Sequence, residues 1–568
     1  MTRHPQAEGG SRRRRSFVAG FLLCGLALIG AVGCRRPPPP HGRFILISLD
    51  TLRADHLGAY GYGRATSPFL DSLAARGTLF ENAIAQLPGT LPSHMSIFTG
   101  LYPAEHAVFP PDGVLAAQIR TVPEVLRAHG FRTGGHVEGG YMEGRHGFSR
   151  GFEEWSDDSP MVQSRGRSVK SKDAVKRTFR RGLDFLKRVR GSESFFLFLH
   201  TYSVHDPYDP PEPYRSLYWS GPPPPGAAPP EGPELLAFND GRRKLVPGAV
   251  EYYEALYDAQ INYTDDVVED FFAGLSSLGL ADDVTVIVTS DHGEEFLEHG
   301  QLVHTQVYQE NVHVPLIVIS PGQREGRRVA SLAQSIDIGP TLLELAGVPP
   351  AARPRVSGRS LVPLLAGALP ETRREAYAEA YLSRDRALYR QTADSLVRLV
   401  RREPRGDADG AWVGGSIVLE ASPPRLRFWA ASYREPRELQ VQGVGVPRGS
   451  YRIDPTGQWI DLALPPGDPV RRVELRSPTC TVPREVGEGS DTRCLSFRLR
   501  GLDLSRQELF DVIADRRETR DVSRERPALT RELAARLDFY RWKPLATPGT
   551  APLDPGTEEQ LRALGYVH

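Results

Sequence analysis

The sequence predicts an α/β fold with a smaller β-rich unit towards the C-terminus, and three observations predict it. Residues 43–49 (RFILISL) and 284–290 (VTVIVTS) are short apolar runs, the first delivering Asp50 at its end and the second Asp291 and His292. A third run, 195–199 (FFLFL), leads into His200 and His205. Runs of this kind read as strands buried on both faces of an open sheet, and such sheets bind ligands beyond the carboxyl ends of their strands. Between about residues 401 and 504 the pattern changes to short alternating segments such as 425–429 (RLRFW), 459–464 (WIDLAL) and 472–475 (RVEL), separated by Gly and Pro. That alternation predicts a small inserted β-sandwich.

From the amino end, the first element reads as an export signal. Arginines 12–15 precede an apolar stretch, 17–33, that is too short and too basically flanked for a lasting membrane span. The sequence AVGC at 31–34 resembles a bacterial lipobox, and RRPPPP follows it. The resemblance implies a lipoprotein signal peptide over 1–34, lipidation of Cys34, and a Pro-rich tether over 35–42. The mature chain would then sit in the cell envelope as a membrane-anchored lipoprotein facing the periplasm or the cell surface. An ordinary signal peptide with an incidental cysteine is the alternative, and Arg14 and Arg15 also fit a twin-arginine signal. Cys480 and Cys494 are the cysteines left in the mature body, and in an oxidising compartment they are expected to form one disulfide.

The next informative element is 89–100 (GTLPSHMSIFTG), which places the hydroxyl of Thr90 in a Pro-containing turn ahead of an apolar run that opens a helix. Alone it reads as a cap or turn, as Asp50 and Asp291 do when each is taken singly. Together the three suggest one metal site assembled from distant parts of the chain.

Several further segments carry a resemblance: DTLRADHLGAYG at 50–61, TSPFLDSLAARG at 66–77, SDHG at 290–293 with EHG at 298–300, VPLIV at 314–318, DIGPTLL at 337–343, ELFD at 508–511, and 561–566. In this order they resemble the sulfatase branch of the alkaline phosphatase superfamily. The resemblance covers roughly 43–400 and 505–568. It implies an alkaline-phosphatase-like mixed sheet sandwiched by helices, with a smaller C-terminal subdomain. The implied division is a catalytic domain over 43–400, an inserted β-rich domain over 401–504 and a C-terminal part of the same fold over 505–568.

The nucleophile segment departs from the sulfatase pattern. Sulfatases carry Cys or Ser there, converted to formylglycine, with a Pro and an Arg at fixed offsets; this chain has Thr90, Pro92 and His94. Oxidising a threonine gives a ketone, not the aldehyde. The segment is closer to nucleotide pyrophosphatases/phosphodiesterases, in which a metal-bound threonine attacks phosphorus. The resemblance implies Asp50, Thr90, Asp291 and His292 as metal ligands. It implies Thr90, His94, His205 and His304 as catalytic residues, with His94 shaping the nucleophile turn. His205 matches a segment whose histidine contacts the substrate anion, and His304 stands where sulfatases carry a lysine. Near Gly134-Gly135-His136 the family's paired Lys and His are not visible. His299, His200, Glu138 and Tyr141 are secondary candidates. One aspartate at positions 50–51 and an imidazole at 292 favour manganese or zinc ahead of calcium.

Composition bounds the partners. Lys+Arg and Asp+Glu are 70 each, so no global field favours nucleic acid. The basic stretch 165–190 reads as an amphipathic helix with a solvated face. The Pro-rich stretch 210–247 reads as an irregular excursion near the site mouth. The function expected is an exported, metal-dependent hydrolase of sulfate or phosphate esters with a metal-bound Thr nucleophile, phosphate or phosphonate favoured. Its substrate would be a small molecule or a glycan or lipid ester. The alternative is a non-catalytic, surface-tethered binding protein on the same scaffold.

Overall fold

The structure is a computed structural model that describes most of residues 41–552; within that range the longest stretches it does not describe are 403–411, 464–470 and 480–496. The export signal, Cys34, nearly all of the tether, the Cys480 and Cys494 pair and the 561–566 motif lie outside the described residues.

Eight strands form the main sheet: β1 (Gly42–Leu49), β2 (Thr78–Phe80), β3 (Arg132–Val137), β4 (Glu154–Asp157), β5 (Ser194–Thr201), β6 (Thr285–Thr289), β7 (Leu316–Ile319) and β8 (Arg327–Val329). Their order is β8-β2-β7-β6-β1-β5-β3-β4. β7 pairs antiparallel with both its neighbours, and every other pairing is parallel. The sheet is therefore mixed, as expected. Both faces are covered. Ile45, Ile47 and Leu49 of β1 join one core, while Phe44 and Leu46 join the other. This is why 43–49 reads as a continuous apolar run, since neither face meets water. Each fully buried side chain of this kind stabilises the fold by about 1.5–3 kcal/mol.

Helices α1 (Pro68–Arg76), α4 (Ala174–Val189) and α5 (Ala249–Ser277) supply the first core. Helices α2 (Thr90–Thr99), α3 (Val122–Ala128) and α6 (Ile338–Leu345) supply the second. Gly134 and Gly135 of β3 permit close approach on each face: a Cβ would stand 2.8 Å from Phe185 at the first and 2.6 Å from Trp155 at the second.

Two expectations change in detail. The basic stretch is not one helix, because residues Arg167–Lys170 pair with Met161–Ser164 in a hairpin and α4 begins only at Ala174. Ala174 N donates to Ser171 O, closing the turn that separates them. The Pro-rich excursion also carries regular structure, a short 3₁₀ turn at Tyr214–Ser216 and a helix at Gly232–Asn239.

A second sheet is antiparallel throughout: Arg374–Glu379, Arg386–Gln391, Leu396–Arg402 and Arg506–Asp511. Between its last two strands the chain forms two four-stranded antiparallel sheets. One holds Trp412–Val413, Phe497–Arg500, Arg425–Ser432 and Gln458–Ala463 in that order, the other Ser416–Ala421, Arg471–Arg476, Arg437–Gly443 and Gly449–Ile453.

Candidate active site

β1, β5 and β6 are adjacent and parallel, with Ser48 in register with both His200 and Thr289. Their carboxyl ends consequently bring Asp50, His200, Asp291 and His292 into one buried place. One ligand atom from each of Asp50, Asp291 and His292 lies within 4.8 Å of the others. Thr90 enters from above as the first residue of α2, its Oγ1 donating to Asp50 Oδ2 at 3.3 Å. The expected turn is thus the first turn of the helix, where Pro92 loses no intrahelical bond by lacking an N–H. At the other end Gly100 closes α2 at φ 68°, and a Cβ there would stand 2.9 Å from Val356 Cγ1.

These residues fit a divalent cation. Asp50 Oδ1, Asp291 Oδ2 and His292 Nε2 are buried and lack hydrogen-bond partners among the described residues. Buried polar atoms left so are costly unless something charged joins them. His292 Nδ1 faces the Gly293 carbonyl at 2.9 Å, an acceptor only, so the ring proton sits there and the Nε2 lone pair is available. His200 Nε2 donates to Asp50 Oδ2 at 2.9 Å. His94 lies beneath, its Nδ1 donating to Thr90 O at 2.9 Å and its Nε2 accepting from Ser48 Oγ at 2.8 Å. Both its nitrogens serve the start of α2 and the carboxyl end of β1.

The structure brings the remaining predicted histidines to the His292 side. His304 packs 4.3 Å from His292, ring to ring, and its Nδ1 lies 3.1 Å from Glu294 Oε1. His205 lies 5.4 Å from His304, with Nδ1 donating to Asp206 O at 2.8 Å. Glu138 sits behind this loop, accepting from Thr201 Oγ1 at 2.7 Å and Tyr202 N at 3.0 Å. Tyr141 is further back, its N–H donating to the Tyr202 hydroxyl at 3.2 Å. His299 is elsewhere, between Glu310 and the Glu518 carbonyl. Sequence reasoning missed Glu294 and Lys170. Glu294 follows the Asp-His pair directly, a signal that was available. Lys170 lies within a basic stretch that gave none.

Burial dominates the electrostatics. It raises Asp50 well above its usual range, and Asp291 and Glu294 add to the effect. Burial also pushes Asp291 up, yet the His292, His94 and His200 rings outweigh it and hold that carboxyl below its usual range. Burial lifts Glu294 to about 7 against the Tyr208 hydroxyl and His292, and drops His304 to about 4 against Asp291. His292 is likewise lowered by burial. Neutral imidazoles beside carboxylates competing for charge are the state in which such a cluster takes a cation.

The sulfatase family model matches residues 43–348. Arylsulfatase K of Rattus norvegicus is 28% identical over 330 residues, covering 52% of this chain and 58% of the rat protein. The chain thus spans a little over half the length of that relative. Among solved structures, phosphonate monoester hydrolase of Agrobacterium radiobacter superposes with a TM-score of 0.54 at 18% identity, covering 90% of this chain and 100% of that one. A protein in complex with its substrate D-glucosamine-2-N,6-O-disulfate gives a TM-score of 0.55 at 16% identity, covering 88% and 97%. Both share the fold. The matched family region runs from β1 to just beyond α6 and contains Asp50, Thr90, Asp291 and His292: the chain belongs to the sulfatase family.

Proposed function

We propose that this chain is a divalent-metal-dependent hydrolase of sulfate or phosphate esters with Thr90 as its nucleophile. Phosphate and phosphonate esters are favoured. The observation that carries this reading is Thr90 Oγ1, 3.3 Å from Asp50 Oδ2, beside the cluster of Asp50, Asp291 and His292, each with a buried atom that lacks a hydrogen-bond partner among the described residues. A hydroxyl there is positioned for attack, and a threonine cannot supply the aldehyde of formylglycine. The name arylsulfatase K carried by the rat relative, and that of the phosphonate monoester hydrolase among the fold neighbours, support an ester of a tetrahedral anion.

A divalent cation held by Asp50, Asp291 and His292, with Thr90 beside it, would favour ionisation of a nearby alcohol and offset the substrate's negative charge. Manganese or zinc suits the nitrogen donor better than calcium. Asp50 Oδ2 accepts the Thr90 hydroxyl hydrogen, which directs an Oγ1 lone pair into the pocket. His94 fixes the Thr90 carbonyl and hence the start of the helix. The Oγ1–P or Oγ1–S bond forms as the bond to the ester oxygen breaks, and water later releases the anion from Thr90. Glu294 holds the proton that it shares with the neutral His304; His304 donates its Nε2 proton to the departing oxygen as its Nδ1 takes the proton of Glu294. His205 lines the same side.

Location belongs to the same proposal. The basic segment, the apolar stretch and Cys34 support export and lipid anchoring in the cell envelope, with a small-molecule, glycan or lipid ester as substrate.

The test is metal analysis followed by assays on aryl phosphate, aryl phosphonate, aryl phosphodiester and aryl sulfate. Hydrolysis of a phosphorus ester, lost on chelation and restored by Mn²⁺ or Zn²⁺, is expected. Turnover of the sulfate alone would overturn the preference for phosphorus. A fully metal-loaded protein inert to all four would overturn the enzyme reading in favour of a binding protein.

A further inference from the structure

We infer that Lys170 is a positioning residue of this site, clamping the loop that carries His205 and setting the balance between cation and anion binding. The inference rests on the cation reading above. Lys170 closes the hairpin formed by Met161–Ser164 and Arg167–Lys170 and is partly buried. Its Nζ donates to Tyr202 O at 3.0 Å, to Ser203 O at 3.4 Å and to His205 O. An ammonium has three donors. All three are spent on the main chain of one loop, so the side chain acts through the loop's geometry and through its own field, not by gripping a substrate oxygen.

Glu138 holds the same loop from the other side, accepting from Thr201 Oγ1 and Tyr202 N. Tyr202 is therefore fixed at its N–H by a carboxylate and at its carbonyl by the lysine. The clamped loop follows directly from His200, the partner of Asp50, and contains His205.

The charge matters as much as the clamp. Burial lowers Lys170 to about 8, while Asp206, Glu138, Asp50 and Glu294 all act to keep it protonated. The site otherwise presents a cluster of buried carboxylates, Asp50, Glu138, Asp206, Asp291 and Glu294. Such a cluster attracts cations strongly and repels an incoming sulfate or phosphate group. One fixed ammonium within it weakens the first effect and offsets the second.

The test measures Mn²⁺ binding by calorimetry, and inorganic phosphate binding to the Mn²⁺-loaded protein, for the wild type, Lys170→Gln, Lys170→Met and Lys170→Arg. The Gln variant keeps a donor for the carbonyls without the charge, so it reports the field even if Lys170→Met does not fold. Lys170→Gln is expected to bind Mn²⁺ about tenfold more tightly and phosphate about tenfold more weakly. Lys170→Arg is expected to restore both to within about threefold of wild type. A purely structural lysine would loosen both ligands together, and that result, or Mn²⁺ affinity unchanged in Lys170→Gln, overturns the inference. A wild-type protein that binds no Mn²⁺ overturns the cation reading itself and the inference with it.

Discussion

His200 Nε2 lies 2.9 Å from Asp50 Oδ2, on a carboxylate whose other oxygen is buried with no hydrogen-bond partner among the described residues. The pairing of β1 with β5 fixes this contact, because the strand that ends in Asp50 lies beside the strand that carries His200. The histidine holds one carboxylate oxygen and so orients the group beside Asp291 and His292. Replacing it with Phe keeps the ring and removes the donor. Divalent-cation affinity is expected to fall by about 10–100-fold, read by competition with a fluorescent chelator. An affinity equal to wild type would assign Asp50's orientation to the backbone alone.

Gly100 ends α2 in the left-handed region, at φ 68°, with Val356 Cγ1 where a Cβ would need room. Its N–H donates to Ser96 O at 2.8 Å, so the conformation is tied to the helix end. Gly100→Ala meets both the backbone penalty and the contact, and is expected to cost about 1–3 kcal/mol. Denaturant unfolding measures this directly; a midpoint equal to wild type would show that the turn can relax.

His299 gives the stability a pH dependence of defined sign. Its Nδ1 lies 2.7 Å from Glu310 Oε1, its Nε2 3.2 Å from the Glu518 carbonyl, and its ring stacks on Tyr308 at 3.5 Å. Two acceptors satisfy the ring fully only when both nitrogens carry protons. Burial lowers its pKa, but Glu310 outweighs this and raises it above the ordinary 6.5. The folded protein therefore holds this proton more tightly than the unfolded chain. The stabilisation is complete below about pH 6.5 and is lost as pH rises through the folded value. His299→Gln should flatten that part of the stability–pH curve, followed by thermal unfolding from pH 5 to 9. An unaltered curve would place the dependence on another group.

Much of the site was legible because strand ends are. Asp50 and Asp291 each follow a run apolar on both faces, and the parallel pairing of those runs fixes both carboxylates at one edge. His292 came with Asp291, and Thr90 came from a segment recognisable as a whole. The second layer was harder to read. His200 sits at the end of an apolar strand, where periodicity says only that it is inside. Its partner lies 150 positions away. Lys170 was hidden because its neighbours Arg167, Lys172, Lys176 and Arg177 made the stretch look like a solvated helix face. Only the hairpin that interrupts the stretch turns this lysine inward. In the β-rich region alternation forecast the strands and a two-sheet unit, but which strand pairs with which is a long-range property that alternation does not encode.

The most direct measurement compares wild type, Thr90→Ser and Thr90→Ala on an aryl phosphate or phosphonate at saturating Mn²⁺, with the metal content of each determined. Thr90→Ser keeps the hydroxyl and should retain measurable turnover, whereas Thr90→Ala should lose about 10³-fold or more in kcat while Asp50, Asp291 and His292 still bind the cation. Turnover by a metal-loaded Thr90→Ala protein at the wild-type rate would contradict the account.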